Sequence, residues 1–299
     1  MTVVEAGPDE EGLRFDKALA FLGGLSRSMA RAMIELGEAT LNGEVVAPRT
    51  AVHEGDSISF TPPKADEALV PDATVPFEVI AERPDYVVIA KPPGLVVHPG
   101  TGVRMGTLVH GLLARYPEIS GVGQPGRWGI VHRLDRDTSG LMLVARTPDG
   151  YEALTGMIRA REVQRTYLAL VVGSFGMATG TIDAPIRRDP DAPMRMAISN
   201  DGRFARTHYR LREAMGAVTL MEVELETGRT HQIRVHFASI GHPVVGDPVY
   251  GRRDPVAVPR IFLHALRLGF VDPFTGTDVT LEAELPSDLD DVLTDLRTS

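Results

Sequence analysis

A single aspartate, Asp135, stands between two arginines, Arg133 and Arg136, in a polar stretch of the sequence. The apolar run after Gly140 is typical of a buried strand, so the polar stretch is expected to form the turn before it. Neighbouring cations favour the charged form of a carboxylate, and the same arginines can hold an anionic substrate beside it. A turn aspartate paired with an arginine has the same local pattern. Taken alone, these residues leave both interpretations open.

The other reactive side chains of the chain suggest no metal or phosphate site. The sequence has no cysteine, which removes thiolate nucleophiles and cysteine-based metal sites. His231, His236 and His242 do not share a helix face, and no HExxH motif or glycine-rich phosphate loop occurs. We therefore expect neither a metal ion nor a cofactor.

Length and composition indicate an ordinary globular protein with about two domains. The chain has 299 residues, of which 43% are hydrophobic and 24% charged. Its first residues lack the basic and apolar segments of a signal peptide, and no apolar run approaches the roughly 18 residues that span a membrane. Together with the absence of cysteine, which fits a reducing compartment, this predicts a cytoplasmic protein without a membrane partner.

The net charge of −9, taken at face value, argues against nucleic acid as a partner. The charge is unevenly distributed, however: residues 91–146 contain seven basic and three acidic residues, a local net charge of +4. A basic patch on an acidic protein is therefore possible, and the total charge does not decide the question.

Residues 13–60 are predicted to form a small ααβ domain. Two predicted helices carry apolar residues at helical spacing, namely Phe15, Leu19 and Leu22 in the first and Met29, Ala32, Met33 and Leu36 in the second. Asn42-Gly43 predicts a hairpin turn, and the second helix carries Arg27 and Arg31 on its polar face. Residues 61–74, rich in proline and acidic residues, are interpreted as a linker.

Residues 75–299 are predicted to form an α+β domain with a mixed, mainly antiparallel sheet. The strongest strand patterns lie at 86–90, 142–146, 166–172 and 263–270, and several more strands alternate with turns between 180 and 225. Helices are expected near 107–116, 150–160 and 230–240 and at the C-terminus. We expect a monomer.

The first domain resembles the S4 RNA-binding domain. The resemblance is carried by SRSMARAMIELGEATLNGEVV (26–46) and HEGDSISF (53–60). In that family the arginine-bearing second helix and the following loop contact RNA, which implies RNA contacts for Arg27 and Arg31.

The second domain resembles the RluA-type family of RNA pseudouridine synthases, most closely its large-ribosomal-subunit synthase D branch. Six blocks occur in the order typical of the family: KPPGLVVHPG (91–100), GIVHRLDRDTSG (129–140), RTYLALVVG (165–173), TGRTHQIRVH (227–236), GDPVYG (246–251) and FLHA (262–265). Together with the S4-like domain, the resemblance covers nearly the whole chain beyond the first dozen residues.

This resemblance implies that the protein isomerises uridine in RNA. The resemblance to the synthase D branch favours large-subunit ribosomal RNA as the substrate. The N1–C1′ bond breaks, the uracil turns and C5 joins C1′, which requires a carboxylate in a pocket that excludes water and no metal or cofactor. The target nucleotide must first be flipped out of its stack. Asp135 is implied as the catalytic carboxylate. It can attack C1′, attack C6 of the uracil or remove a 2′-proton, and the sequence leaves these routes open.

The resemblance also implies roles for the residues around Asp135. Tyr167 is expected against the flipped base, and Arg234, pointing away from the apolar face of its helix, is expected to pair with Asp135. Arg133 is expected to fill the space of the flipped base, and Arg187 and Arg188 are candidates for phosphate contacts. The implied substrate- or RNA-binding residues are Arg133, Arg136, Leu263, His132, Lys91, Arg27 and Arg31.

Two other functions remain as alternatives. A glycoside hydrolase or lyase can use two carboxylates that flank a bond, which here are Asp135 and Asp137. A non-catalytic RNA-binding or ribosome-assembly protein can retain the same fold. Whether the RNA is ribosomal or transfer RNA is also open from the sequence.

Overall fold

The computed structural model describes residues 1–23, 25, 27–61, 69–100, 102–192, 195–251 and 253–298. The chain divides into two compact units, Met1–Ala68 and Leu69–Ser299. Half of the linker predicted over 61–74 falls on residues 62–68, which lie outside the described residues. Leu69 already packs against the core of the second unit.

The first unit packs two helices against a small antiparallel sheet in the order β1-β3-β2. Its elements are β1 (Thr2–Glu5), α1 (Phe15–Leu22), α2 (Arg27–Glu35), β2 (Ala39–Leu41) and β3 (Ser57–Phe60). Phe15 and Leu19 on α1 are completely buried, as the helical spacing predicts. The helix–helix–sheet arrangement agrees with the predicted ααβ pattern.

Two details of this unit differ from the sequence prediction. On α2, Ala30, Met33 and Ile34 are buried, whereas Leu36 follows the end of the helix and is 73% exposed. The side chains of Met29 and Ala32, also predicted on the apolar face, lie outside the described residues. Asn42 and Gly43 form the predicted turn with positive φ angles, but the predicted return strand does not form. β2 pairs with β3 instead, so tertiary pairing prevails over the local hairpin signal.

The second unit is built on a large mixed sheet. Within the described residues nine strands join, in the order β4-β5-β6-β13-β7-β12-β11-β8 with β14 added to β13. Only the β6–β13 pair is parallel, which confirms the α+β class. The elements are β4 (Glu78–Glu82), β5 (Tyr86–Lys91), α3 (Leu108–Arg115), β6 (Ser139–Ala145), α4 (Pro148–Ala160), β7 (Gln164–Val172), β8 (Thr179–Asp183), β9 (Ile186–Arg188), β10 (Met196–Ile198), β11 (Arg206–Met215), β12 (Val218–Leu225), α5 (Gln232–Ser239), β13 (Leu263–Val271), β14 (Asp278–Glu282) and α6 (Ser287–Thr298).

The central strands of this sheet are buried on both faces. On β5, Val87 and Ile89 pack into one core cluster, while Tyr86 and Val88 pack into another. A strand covered on both sides favours an uninterrupted apolar run, which explains the runs in β5 and β6. In the described part of the chain, no helix has the length and apolar character needed to cross a membrane.

Candidate active site

Asp135 lies in the loop that precedes β6, and two cationic side chains hold the backbone of this loop. Lys91 Nζ donates a hydrogen bond to the carbonyl oxygen of Arg136 at 2.8 Å. Arg260 Nη1 donates to the carbonyl oxygen of Asp137 at 3.2 Å. The peptide groups next to Asp135 are thus tied down, which limits the positions that its carboxylate can take.

The position of Lys91 corrects its predicted contact with RNA. Its side chain is buried, and Nζ also donates to the carbonyl oxygens of Pro92 and Leu95 at 2.7 and 3.0 Å. Burial lowers the pKa of Lys91 to about 7. With three carbonyl acceptors and only 1% exposure, Lys91 supports the loop of Asp135 and is not available to nucleic acid.

Gly140 allows β6 to approach β13 closely. Its φ angle is +114°, and a Cβ atom at this position would lie 2.2 Å from the carbonyl oxygen of Ala265. Only glycine fits both the conformation and the space. The loop of Asp135 is therefore fixed relative to β13, whose first residue, Leu263, lines the same cleft.

Arg234 lies between two carboxylates. Its Nη1 donates to Asp135 Oδ2 at 3.0 Å, and its Nε and Nη2 donate to the two oxygens of Asp247, both at 2.8 Å. The Asp247 side chain is completely buried, whereas that of Asp135 is 21% exposed. The paired geometry on Asp247 fixes the guanidinium plane and leaves Nη1 to orient Asp135.

Asp247 is itself held by the turn that contains it. Its Oδ1 accepts hydrogen bonds from the backbone N–H groups of Val249 and Tyr250. Burial alone would raise the pKa of Asp247, but its hydrogen bonds and charge interaction with Arg234 hold that pKa below the usual value. Asp247 is therefore a fixed anion behind Arg234.

His231 approaches Asp135 from a second side. Its Nε2 lies 3.8 Å from Asp135 Oδ2, and its Nδ1 lies 2.9 Å from the hydroxyl of Tyr250. Burial lowers the pKa of His231, so the neutral ring is favoured. His231 has a positive φ of 55°, a conformation that non-glycine residues rarely adopt.

These residues open into a cleft of about 450 Å³. Tyr167, on β7, and Leu263 contribute its apolar surface, and both are mostly buried. Burial raises the pKa of Tyr167, so its hydroxyl keeps its proton at neutral pH. The cleft thus combines an aromatic ring, an aliphatic side chain and a carboxylate, which suits a planar base attached to a sugar.

The other predicted substrate- and RNA-binding residues have different surroundings. Arg133 is exposed and lines the cleft, as does His132, whose Nε2 accepts a hydrogen bond from the Leu143 N–H. Arg136 is exposed but lies outside the residues that line the cleft. Arg31, in the first unit, is exposed and pairs with Glu35. The side chain predicted to contact RNA at position 27 lies outside the described residues.

Arginines dominate the lining of the cleft despite the acidic total charge. Among the described residues, seven arginines and two acidic residues line it, namely Arg133, Arg159, Arg161, Arg165, Arg203, Arg229 and Arg234 against Asp135 and Glu226. A neighbouring cavity of about 300 Å³ adds the predicted phosphate contacts Arg187 and Arg188. Arg187 pairs with Asp201. The two cavities share Arg203 and Arg229, so a basic surface continues from one to the other.

The sequence prediction did not foresee the roles of Asp247, His231 and Tyr250. All three lie in blocks of the family resemblance, at 227–236 and 246–251, and this is the only signal that the sequence gives for them. Arg234 points away from the apolar face of its helix as expected, yet it is 7% exposed. The side chain of Arg234 lines the cleft, and the periodicity of a single helix does not predict this position.

Comparisons with known proteins agree with this architecture. The sequence profile described as RNA pseudouridylate synthase matches residues 85–239, and the S4 domain profile matches residues 13–58. An uncharacterized RNA pseudouridine synthase of Chloroflexus aurantiacus is 47% identical over 99% of this chain and 93% of that protein. Ribosomal large subunit pseudouridine synthase D of Xanthomonas campestris is 44% identical over 96% of this chain and 89% of that protein.

A solved structure has a related fold. Human RNA Pseudouridylate Synthase Domain Containing 1 superimposes with a TM-score of 0.56 at 25% identity, covering 77% of this chain and 98% of that one. With the matching profile and the full-length relatives, this establishes the family. The chain belongs to the RNA pseudouridine synthases, which are isomerases, and carries an S4 domain ahead of the synthase domain.

Proposed function

We propose that this protein isomerises specific uridines of large-subunit ribosomal RNA, with Asp135 as the group that acts on the flipped nucleoside. The observation that carries the proposal is the ion network of Asp135, Arg234 and Asp247 in an arginine-lined cleft. Relatives such as the Xanthomonas campestris protein are named for the large ribosomal subunit, which supports this class of RNA.

The proposed reaction needs no net gain or loss of electrons. The N1–C1′ bond breaks with its electron pair going to the base, the base rotates, and a C5–C1′ bond forms. The C5 proton leaves, and N1 takes up a proton. Tyr167 and Leu263 contact the uracil, and Arg133 occupies the gap that the flipped base leaves in the RNA.

The contacts of Asp135 favour one of its oxygens for this chemistry. Arg234 Nη1 and His231 Nε2 both approach Oδ2. Among the described residues no hydrogen bond to Asp135 Oδ1 is found, so this oxygen faces the nucleoside. Fixing one oxygen and leaving the other free orients the carboxylate without occupying the group that reacts.

The arginines around the cleft supply contacts to the RNA backbone. Phosphate contacts position a strand, while the pocket selects the base. The S4 unit supplies a second contact to RNA through the polar face of α2, which includes Arg31. The combination suits a looped segment of a large RNA better than a free nucleoside.

The hydrolase alternative is less well supported by the geometry. The Asp137 side chain is half exposed, lies 3.9 Å from Arg136 and does not line the cleft. Asp137 is thus not positioned across a glycosidic bond from Asp135, as hydrolysis by this pair of carboxylates requires.

The proposed substrate is tested by mapping pseudouridines in the RNA of the source organism. A strain without this gene should lack pseudouridine at particular positions of large-subunit ribosomal RNA, and the wild-type gene should restore them. An Asp135→Asn gene should not. If pseudouridine were lost from transfer RNA alone, the substrate would be transfer RNA and not ribosomal RNA. If the pseudouridine maps of both RNAs were unchanged, the proposal would be contradicted.

A further inference from the structure

Arg165 is a buried cation without an acidic partner among the described residues. It lies on β7 and is 5% exposed. Its Nη2 has one distant acceptor, the carbonyl oxygen of Leu225 at 3.4 Å, and its Nε has no hydrogen-bond partner. Burial lowers the pKa of Arg165, but a guanidinium still keeps its charge in proteins. A buried charge left unpaired costs several kcal/mol, so an anion is expected to complete this site.

The surroundings of Arg165 indicate where that anion binds. Arg165 precedes Tyr167 by two residues, so both side chains lie on one face of β7, and both line the cleft of Asp135. Gly228 leaves space beside it: a Cβ atom there would lie 2.7 Å from Arg165 Nη1. The guanidinium therefore occupies a position next to the ring of Tyr167, where the proposed function seats the uracil.

The proposed reaction creates an anion at that position. When N1–C1′ breaks, both bonding electrons stay with the uracil, and the negative charge spreads over N1, O2 and O4. Resting on the proposed function, we propose that Arg165 is a further catalytic residue, which binds the uracil and stabilises its anion until the C5–C1′ bond forms. The C5 proton is then lost to solvent and N1 is protonated. The base is then neutral, so it no longer requires stabilisation by Arg165.

The proposal requires that Arg165 serve the reaction and not the fold. Arg165→Met keeps an unbranched apolar side chain and removes the guanidinium with its charge. We expect kcat to fall on the order of 100-fold, as for loss of one donor to a developing oxyanion, with KM for RNA changed less than about twofold. The free energy of unfolding of the RNA-free protein should stay equal or rise, because an unpaired buried charge is removed.

Arg146→Met is the matched control. Arg146 is also mostly buried, but it pairs with Glu82 and Glu118 and does not line the cleft. This variant should keep wild-type turnover and lose stability. The proposal would be contradicted if Arg165→Met lost as much stability as Arg146→Met. It would also be contradicted if Arg165→Met raised KM and left kcat unchanged, because that result is expected of a residue that contacts a phosphate.

A second substrate tests the charge on the base. Fluorine at C5 withdraws electrons, so 5-fluorouracil leaves as an anion with less help from the protein. The assay is a single turnover in which the disappearance of the N1-linked nucleoside is measured. The factor by which Arg165→Met slows this step should be at least about tenfold smaller with 5-fluorouridine than with uridine. Equal deficits would overturn the role of Arg165. Failure of the wild-type protein to convert uridine would instead overturn the proposed function, so the two failures are distinguishable.

Discussion

At the scale of single residues, the site balances one guanidinium between two carboxylates. Arg234 gives two of its donors to Asp247 and one to Asp135, so its charge is shared and Asp135 is oriented without being enclosed. The family resemblance predicted catalytic roles for Asp135, Tyr167 and Arg234 through motifs that lie far apart in the chain. The sequence could not identify Asp247 as the support of Arg234, because a contact across 13 residues leaves no periodic pattern.

The role of Asp247 is tested by Asp247→Asn. The amide places a donor against a donor of Arg234, so the guanidinium turns and Asp135 loses its orientation. Because a displacement of about 1 Å at a reacting group can cost roughly 100-fold, we expect a fall in kcat on the order of 100-fold with little change in KM, measured in steady-state assays.

Asp272→Asn is the matched control for this variant. Asp272 is equally buried, and its Oδ1 accepts two backbone N–H bonds in a similar turn, but its other partner is Tyr86 and it does not line the cleft. It should retain wild-type kcat below its unfolding temperature. Equal losses in both variants would indicate a general effect on folding and contradict the role of Asp247.

Arg234→Ala is expected to affect both turnover and stability. Removing the guanidinium leaves the carboxylate of Asp247 buried without a cationic partner. We expect this to lower the free energy of unfolding by about 3–5 kcal/mol. Urea unfolding should therefore show a clear loss of stability, and turnover should fall strongly even where the variant is fully folded. Near-normal rates would contradict the pairing of Arg234 with Asp135.

At the scale of elements, the loop of Asp135 is positioned by the register of β6. Long apolar runs identified β5, β6 and β7 correctly because strands covered on both faces need them. Local signals failed where tertiary pairing decides: Asn42-Gly43 turns the chain, but β2 finds its partner in β3. The loop itself is fixed by contacts from Lys91 and Arg260, which no local pattern encodes.

Gly140→Ala tests the close approach of β6 to β13. The added methyl group meets the backbone of Ala265, and the positive φ is strained for alanine. We expect a loss of roughly 3 kcal/mol in the free energy of unfolding, measured by urea titration. Gly156→Ala in α4, where a Cβ atom meets nothing within 4 Å, should instead gain about 1 kcal/mol. A neutral Gly140→Ala would contradict the packing.

His132 makes this region sensitive to acid. Burial lowers the pKa of His132 from the usual 6.5 to about 3. Below pH 6.5 the unfolded chain therefore binds a proton that the folded chain does not, and stability falls as the pH drops toward 3. Urea titrations between pH 7 and pH 4 should show a shallower loss for His132→Gln than for the wild type. Identical slopes for His132→Gln and the wild type would contradict the assignment.

At the scale of the whole molecule, an acidic protein concentrates arginines where RNA is proposed to bind. The net charge of −9 is misleading because the two cavities share a basic surface. The local excess of basic residues over 91–146 indicated part of it. Of the seven arginines that line the cleft in the described part of the chain, only Arg133 belongs to that segment. Folding brings the other six from distant segments, namely Arg159, Arg161, Arg165, Arg203, Arg229 and Arg234.

This surface predicts a salt-dependent affinity for RNA. Replacing one phosphate-contacting cation should lower the slope of log K against log salt concentration by about 0.7–0.9. Arg203→Gln, which lies in both cavities, should weaken binding and lower the slope by this amount in anisotropy titrations at several salt concentrations. Arg212→Gln, whose side chain pairs with Glu222 on β12 outside both cavities, should do neither, and equal effects would contradict the proposed path of the RNA.

The central claim is that the carboxylate of Asp135 carries out the isomerisation, and release of tritium from C5 of uracil in RNA measures it directly. The wild-type protein should release tritium from a large-subunit ribosomal RNA substrate, and Asp135→Asn should release none above background while still binding that RNA. Asp137→Asn, two residues away and outside the cleft, should behave like the wild type. Release by Asp135→Asn at a rate close to that of the wild type would contradict the account.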